Sequence, residues 1–302
     1  MLQAFAFFAK RVLSFGKFES GSIPRKIRTT LLTGISDMLE HEVVMIKPLV
    51  KLVKGWPGRL VLDDTSNPKY GLKNWSRKLK ILTHGGFRDG YKILLFLWEC
   101  DLGRIPVGFA LWHKGTRTLG DLALSGLSRL RKMKLKPEAV LADGAFSTDE
   151  ILKRLENYGW PCVMRCNSRR KLENKRVDKE IGRGYGSEQG RLKNGTKVKI
   201  FRRKNRFFVC NRMLWTMQKA VSLYTRRWKI EEVFRAIKQC LGLNRCQQHS
   251  MRAQAIYLMV CFILFACLEL NSGQSVYKLA QTVISAEVPP ENILDKRIFK
   301  TF

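Results

Sequence analysis

The chain has 302 residues, 45% of them hydrophobic, which is enough to bury a full core and argues against an intrinsically disordered protein. Its net charge of +31, from 56 Lys and Arg against 25 Asp and Glu, indicates a polyanionic partner. Nucleic acid is the leading one, although chromatin proteins and membrane binders share this balance. The eight scattered cysteines exclude a small disulfide-stapled secreted domain and suit a reducing cytosol. Together with the basic charge, we expect a cytoplasmic, nucleoid-associated protein.

The first predicted elements are helices, followed by strands. Residues 1–56 predict two or three helices separated by prolines, and we treat them as an N-terminal helical segment. Residues 59–64 predict a short strand that ends in two acids, and the Thr-Ser-Asn-Pro that follows at 65–68 predicts a turn. Residues 92–100 and 105–112 predict an antiparallel hairpin.

Helices and strands then alternate along the chain. The pattern predicts helices over residues 118–134 and 148–158, and strands over 139–143 and 162–166. Three strands, a helix, a strand, a helix and a strand describe an α/β fold with a mixed sheet flanked by helices. This is the ribonuclease H-like order, and we assign residues 57–166 to the first part of that core.

Residues 167–219 break the pattern and predict a small, basic, β-rich insertion. Residues 165–206 hold sixteen Lys and Arg against four acids, with short strands expected at 197–202 and 207–210. A solvated surface would also be charged, but so few compensating acids favour a surface that faces DNA.

Two aspartates stand at the ends of predicted strands. Asp64 and Asp143 are each followed by a small or turn residue, and open α/β sheets bind their ligands at the carboxyl ends of strands. If the two strands are neighbours, the carboxylates meet. The alternative is that each aspartate caps a turn or the next helix, which is the commoner role of a single Asp. Asp63 is the alternative to Asp64. Strand alternation puts the two side chains on opposite faces, so only one of them can point at the site.

A helix predicted over residues 220–241 carries a third acid. On a regular helix, Tyr224, Arg227, Glu231 and Lys238 lie within about 60° of one another, beside an apolar face. A carboxylate among cations suits metal and phosphate together. The alternative is a surface helix with ion pairs at the i,i+4 spacing.

Residues 220–272 are expected to complete the core. They include the apolar run at 255–268, which is too short to span a bilayer and predicts a buried helix. Residues 273–302 form a C-terminal tail.

Three motifs together resemble a known family. YTRRWKIEEVFRAIK at 224–238 resembles the Tyr-Arg-Glu-Lys (YREK) signature of bacterial insertion-sequence transposases of the DDE class, and all three spacings match. LVLDDTSNPKYG at 60–71 resembles the family's first-aspartate strand, and AVLADGAFST at 139–148 its second. The resemblance implies a transposase with a ribonuclease H-like catalytic core that cuts transposon ends and joins them to target DNA, and leaves an end-binding role for the N-terminal segment.

The resemblance also assigns roles to residues. Asp64, Asp143 and Glu231 would be catalytic and would bind two Mg²⁺ ions, for which Mn²⁺ can substitute. Glu231 is preferred to Glu232, which lies off the polar stripe. The expected partners are double-stranded DNA, as transposon ends and target, and a second copy of the chain in a homodimer on DNA.

Further residues are expected to contact DNA. Tyr224, Arg227 and Lys238 would hold phosphates near the cleavage point, with Arg235 on the same helix. An aromatic side chain, Trp215 or else Tyr185 or Phe208, would stack on a flipped base. A DNA hairpin on the transposon end is a further implied intermediate. The rival functions are a domesticated, non-catalytic DNA-binding protein and a metal-dependent nuclease of the same fold.

Overall fold

A computed structural model describes residues 42–68, 81–83, 86–88, 90–112, 117–246 and 251–270. Most of the predicted N-terminal helical segment and the whole C-terminal tail lie outside these ranges. The helices of the described ranges are α1 (Lys47–Val53), α2 (Leu119–Lys132), α3 (Asp149–Tyr158), α4 (Val177–Glu180), α5 (Met217–Thr225), α6 (Trp228–Cys240) and α7 (Met251–Leu270), with a 3₁₀ turn at Gly144–Phe146.

The strands of the described ranges follow the same chain order. They are β1 (Val43–Met45), β2 (Gly58–Pro68), β3 (Ile81–Thr83), β4 (Gly86–Arg88), β5 (Gly90–Cys100), β6 (Gly103–Trp112), β7 (Ala139–Ala142), β8 (Cys162–Cys166), β9 (Lys171–Leu172), β10 (Lys175–Arg176), β11 (Tyr185–Arg191), β12 (Lys197–Arg203) and β13 (Arg206–Cys210).

Nine of these strands form one sheet, in the order β1-β6-β5-β2-β7-β8-β13-β12-β11. Strand β2 pairs antiparallel with β5 on one side and parallel with β7 on the other, and β7 pairs parallel with β8. The five strands from β6 to β8 therefore carry the predicted order of three antiparallel strands and then two parallel ones. The prediction of a mixed α/β sheet flanked by helices is confirmed.

Strand β2 is longer than predicted, and the predicted turn at 65–68 is wrong. All eleven residues of β2 pair with β5, up to Pro68 opposite Gly90. Turn-forming residues stay extended here because a complete partner strand lies alongside them. The buried Asn67 side chain also donates a 2.7 Å hydrogen bond to the hydroxyl of Tyr91 on β5.

Helices cover both faces of the sheet, and alternate residues of β2 face different helices. On one face Phe96, which pairs with Leu62, lies so close to Gly126 of α2 that a Cβ there would sit 2.0 Å from the ring. On the other face Phe109 of β6 contacts Phe262 of α7, with ring centroids 5.2 Å apart. We call these the α2 face and the α7 face.

Helix α7 contains the apolar run that sequence predicted to be a core helix. Within the described ranges it is the one helix long and apolar enough to cross a membrane, but 83% of its most apolar stretch is buried inside the fold. Such burial is typical of a core helix, and the prediction is confirmed.

The basic region extends the central sheet. The predicted strands at 197–202 and 207–210 are confirmed as β12 and β13, and β13 pairs antiparallel with β8. Strand β11 and, at the other end, β1 within the predicted helical segment are additions to the predicted elements. Strand β11 was missed because it is exposed along its length and contains two glycines, so it shows no apolar alternation.

Candidate active site

Three charged side chains form a row where the parallel strands stop pairing. The parallel pairing ends at Leu62 with Ala142 and at Ala142 with Met164. The next residues in this register are Asp63 on β2, Asp143 after β7 and Arg165 on β8. Residues in register on neighbouring strands point to the same side of a sheet, so this row lies on one face, next to the end of the parallel pairing.

Asp63 lies on the α7 face, because it pairs with Leu95, which is opposite Phe109 of β6. Its Oδ2 accepts a 2.6 Å bond from Nη1 of Arg227. The pKa of Asp63 is raised to about 7. Burial is the largest cause; the charges of Asp143 and Asp64 also raise the pKa, whereas Arg227 lowers it. A carboxylate that is this costly to ionise needs cations nearby.

Asp64 points to the α2 face of β2. Its Oδ2 forms a 2.9 Å ion pair with Nζ of Lys92 on β5. The structure therefore brings Asp63, and not Asp64, onto the face that carries the predicted third acid.

Asp143 is positioned by the turn that follows β7. Its Oδ1 accepts a 2.5 Å bond from the backbone N–H of Ala145, so it caps the 3₁₀ turn as the alternative reading expected. Its charge also acts on Asp63 and on Tyr224, raising the pKa of both. The capping bond uses only Oδ1, so Asp143 can cap the turn and still be one of the three charged residues of the row.

The helix predicted over 220–241 is divided in two, so the prediction of one continuous helix is wrong. Helix α5 ends at Thr225 and α6 starts at Trp228. Between them the backbone N–H groups of Arg226 and Arg227 bond to carbonyls three residues earlier. The chain winds more tightly there than an α-helix, so a single wheel cannot place Tyr224 relative to α6.

Arg227 sits at this joint and holds two carboxylates. Nη1 contacts Asp63, and Nη2 contacts Glu231 on the next turn of α6. The guanidinium also lies 5.7 Å from the ring centroid of Tyr224, whose ring contacts Phe208 of β13 edge-on. The pKa of Tyr224 is raised, mainly by burial.

The two adjacent glutamates of α6 have different partners. Glu231 faces Arg227, whereas Glu232 forms a 2.8 Å ion pair with Arg104 of β6, which also binds Glu269 of α7. Glu232 is thus part of an ion-pair cluster between α6, β6 and α7. The apolar face predicted beside the polar stripe is confirmed, because the apolar residues along α6 and at its C-cap are buried: Ile230, Val233, Phe234, Ile237 and Leu241.

Lys238 is the last member of the predicted stripe and reaches the same strand. Its Nζ donates to Oγ1 of Thr65 at 2.6 Å and to the carbonyl of Ser66 at 3.3 Å. Thr65 lies two residues after Asp63, on the same face of β2. Burial lowers the pKa of Lys238. Arg227 and Lys238 therefore fix α6 along β2.

The other residues predicted to bind DNA lie at the surface of the site or away from it. Arg235 is exposed on α6. Trp215 is partly buried, and Nζ of Lys219 lies 5.1 Å from its ring centroid. Of the alternative aromatics, Phe208 is buried, whereas Tyr185 on β11 is 61% exposed.

Arg165 was missed by the sequence reasoning. It is the exposed residue of an otherwise buried strand, β8, and its charge lowers the pKa of Tyr224. A basic residue inside the short apolar run Cys-Val-Met-Arg-Cys was the available signal.

The acids supply oxygen donors for a divalent ion, but a cation of the protein lies among them. Carboxylate oxygens are the ligands that Mg²⁺ prefers. Among the residues that the structure describes, however, no group of three or more His, Cys, Asp or Glu side chains is arranged to hold a metal. Arg227 lies between Asp63 and Glu231 and binds both.

Comparison with known proteins identifies the family. A family model described as "Transposase DDE domain" matches residues 57–267, more than two thirds of the chain. The chain belongs to the DDE transposase family. Members of this family generally cut DNA and transfer strands with divalent metal ions, so this chain is a transposase. A comparison with curated proteins found no match.

A solved transposase has the same fold. The chain is similar to the piggyBac transposase in a synaptic complex with hairpin DNA, with a TM-score of 0.57 and 12% identity. The likeness covers 99% of this chain and 72% of the other. At this identity it supports the ribonuclease H-like transposase fold and nothing finer.

Proposed function

We propose that this transposase cuts the ends of an insertion sequence and joins them to target DNA, with Asp63, Asp143 and Glu231 as its catalytic acids. The observation that carries the proposal is the register of β2 and β7, which aligns Asp63 with Asp143 on the α7 face. Glu231 joins them from α6 through the shared contact with Arg227. Asp63 thus takes the place that the sequence motif suggested for Asp64.

DNA is the substrate that the surrounding charges suit. Arg165 stands in the row with Asp143, and Arg235 is exposed on α6. Cations on either side of a carboxylate cluster can hold the phosphates that flank a scissile bond. The phenol of Tyr224 would donate a hydrogen bond to one of these phosphates. The net charge of +31 and the DNA bound to the similar transposase support the same substrate.

Mg²⁺ is the ion that the donor chemistry favours, and the use of two ions stays a prediction. Bound divalent ions would supply Lewis-acid activation of the attacking oxygen and of the phosphate. The carboxylates would hold them only after Arg227 leaves the position it occupies between Asp63 and Glu231. The protein's own cations then have two functions: they balance the acids before the reaction, and they orient the DNA backbone during it.

A homodimer and a hairpin intermediate complete the proposal. Joining two transposon ends at one target requires two active sites, which two copies of the chain provide. The hairpin DNA in the similar transposase complex supports a hairpin on the transposon end here as well.

The test uses the full chain and a duplex carrying the terminal sequence that borders its gene. With Mg²⁺ or Mn²⁺, we expect nicking at the end, a hairpin visible on denaturing gels, and joined products with a plasmid target. Hydrolysed products without joining would indicate a nuclease. Metal-independent binding without cleavage would indicate a non-catalytic DNA-binding protein, and either result would overturn the proposal.

A further inference from the structure

The carboxylates of the proposed site are already bound by a cation of the protein. Arg227 contacts Asp63 at 2.6 Å through Nη1 and Glu231 through Nη2, and its side chain is only 14% exposed. A divalent ion between these acids would need the same oxygen atoms. The guanidinium and the ion therefore compete for Asp63 and Glu231.

One N–H donor of Arg227 has no acceptor. Its Nε is buried and has no hydrogen-bond partner in the structure. Burying an N–H without an acceptor is unfavourable, because the group has lost its hydrogen bonds to water. A phosphate group offers several oxygens to a guanidinium fork, so it could bind Nε and an Nη together, which the two separate carboxylates do not.

The backbone at Arg227 suits a change of position. The residue lies in the tight joint between α5 and α6, where Arg227 N bonds to Tyr224 O at 2.9 Å and Ile230 N to Arg227 O at 3.1 Å. No side chain caps α6 at this residue. Short stretches of such winding between helices often mark hinges.

We propose that Arg227 is a latch that keeps Asp63 and Glu231 from binding metal until a DNA phosphate takes the guanidinium. DNA binding and metal binding then strengthen one another, because each removes a competitor of the other. The latch keeps the metal-dependent activity off in the absence of DNA. This inference rests on the proposed function, since it takes Asp63 and Glu231 as the metal-binding acids.

The test measures Mn²⁺ binding by electron paramagnetic resonance, with no cleavage in the readout. The full chain is titrated with Mn²⁺ alone and with a saturating short duplex whose scissile linkage is non-hydrolysable, and the Mn²⁺ bound by the duplex itself is subtracted. We expect the duplex to raise the Mn²⁺ affinity of the wild type by on the order of tenfold. Absence of any increase would overturn the latch without any variant.

Variants separate the latch from its surroundings. Arg227→Ala should bind Mn²⁺ about as tightly without DNA as the wild type does with DNA, and should gain little from the duplex. Lys132→Ala removes the same charge from an exposed position of α2, on the opposite face of the sheet, and should keep the wild-type response. Arg227→Gln, which keeps more of the side chain, serves if Arg227→Ala does not fold. Wild-type behaviour in a folded Arg227 variant would overturn the proposal.

Asp63→Asn distinguishes failure of the latch from failure of the proposed site. If Asp63→Asn binds Mn²⁺ as the wild type does, the metal site lies elsewhere and the proposed function fails with the latch. If Asp63→Asn loses Mn²⁺ binding while Arg227→Ala resembles the wild type, the site stands and only the latch fails.

Discussion

The two faces of strand β2 use adjacent aspartates differently. Asp63 on the α7 face aligns with Asp143 and shares Arg227 with Glu231, and its pKa is raised to about 7. Asp64 on the α2 face pairs with Lys92 at 2.9 Å. One residue along a strand thus separates an acid held among other acids from an acid in a single ion pair. The face, more than the motif, decides which of the two can act with a partner carboxylate.

The largest expected difference is between two variants that each change one of these aspartates. Asp63→Asn should reduce cleavage and joining by on the order of a thousandfold or more, because Asp63 is one of the three carboxylates of the proposed site. Asp64→Asn should retain most activity, apart from the effect of leaving Lys92 without its partner. Strand-transfer assays at equal concentrations of folded protein measure both. The reverse result would restore Asp64 to the site and break the comparison of the two faces.

Adjacent glutamates on α6 extend the comparison. Glu231→Gln should lower cleavage by on the order of a hundredfold or more, whereas Glu232→Gln should mainly lower stability. Glu232 is part of the cluster with Arg104 and Glu269, so the expected loss is seen in thermal unfolding. Equal losses of activity in two stable variants would mean that both glutamates serve the reaction.

Much of the core could be predicted from the sequence, because burial leaves a pattern. Strands β7 and β8 and helices α2 and α3 match their predicted ranges within two residues, since apolar periodicity and capping residues mark them. Strand β2 could not be delimited, because pairing with β5 outweighs the turn tendency of residues 65–68. This pairing joins residues far apart in the sequence, so the residues next to 65–68 do not reveal it.

The site was harder to predict than the core. The motif identified an aspartate pair, but only the parallel register with β7 aligns Asp63 with Asp143. The same register adds Arg165, which no spacing rule in the sequence connects with the acids. Tyr224 was placed on one helix with Glu231, and the tight joint at Arg227 was invisible because its residues are ordinary helix formers.

A smaller effect is expected on DNA binding. Arg165→Ala removes an exposed cation from the row on the α7 face and should weaken duplex binding several-fold, lowering the slope of log affinity against log salt by about 1. Lys132→Ala removes the same charge from an exposed position of α2, on the opposite face, and should change the slope less. Fluorescence anisotropy at several salt concentrations measures both. Equal changes would indicate that DNA contacts both faces.

The effect that bears least on activity is a pH dependence of stability in the absence of metal. The pKa of Asp63 is about 7 in the folded chain, above the ordinary value of 3.8, so the folded state holds this proton over the interval between them. The carboxyl therefore favours folding most below about pH 4, and this contribution is lost as the pH rises through 7. Asp63→Asn lacks the titration, so the free energy of unfolding of the wild type should fall relative to the variant by roughly 1–4 kcal/mol between pH 4 and pH 8. Urea unfolding in EDTA at several pH values measures the difference. Parallel profiles for the two proteins would mean that Arg227 compensates the burial of Asp63 fully, and that the two faces of β2 differ in geometry but not in the cost of their charges.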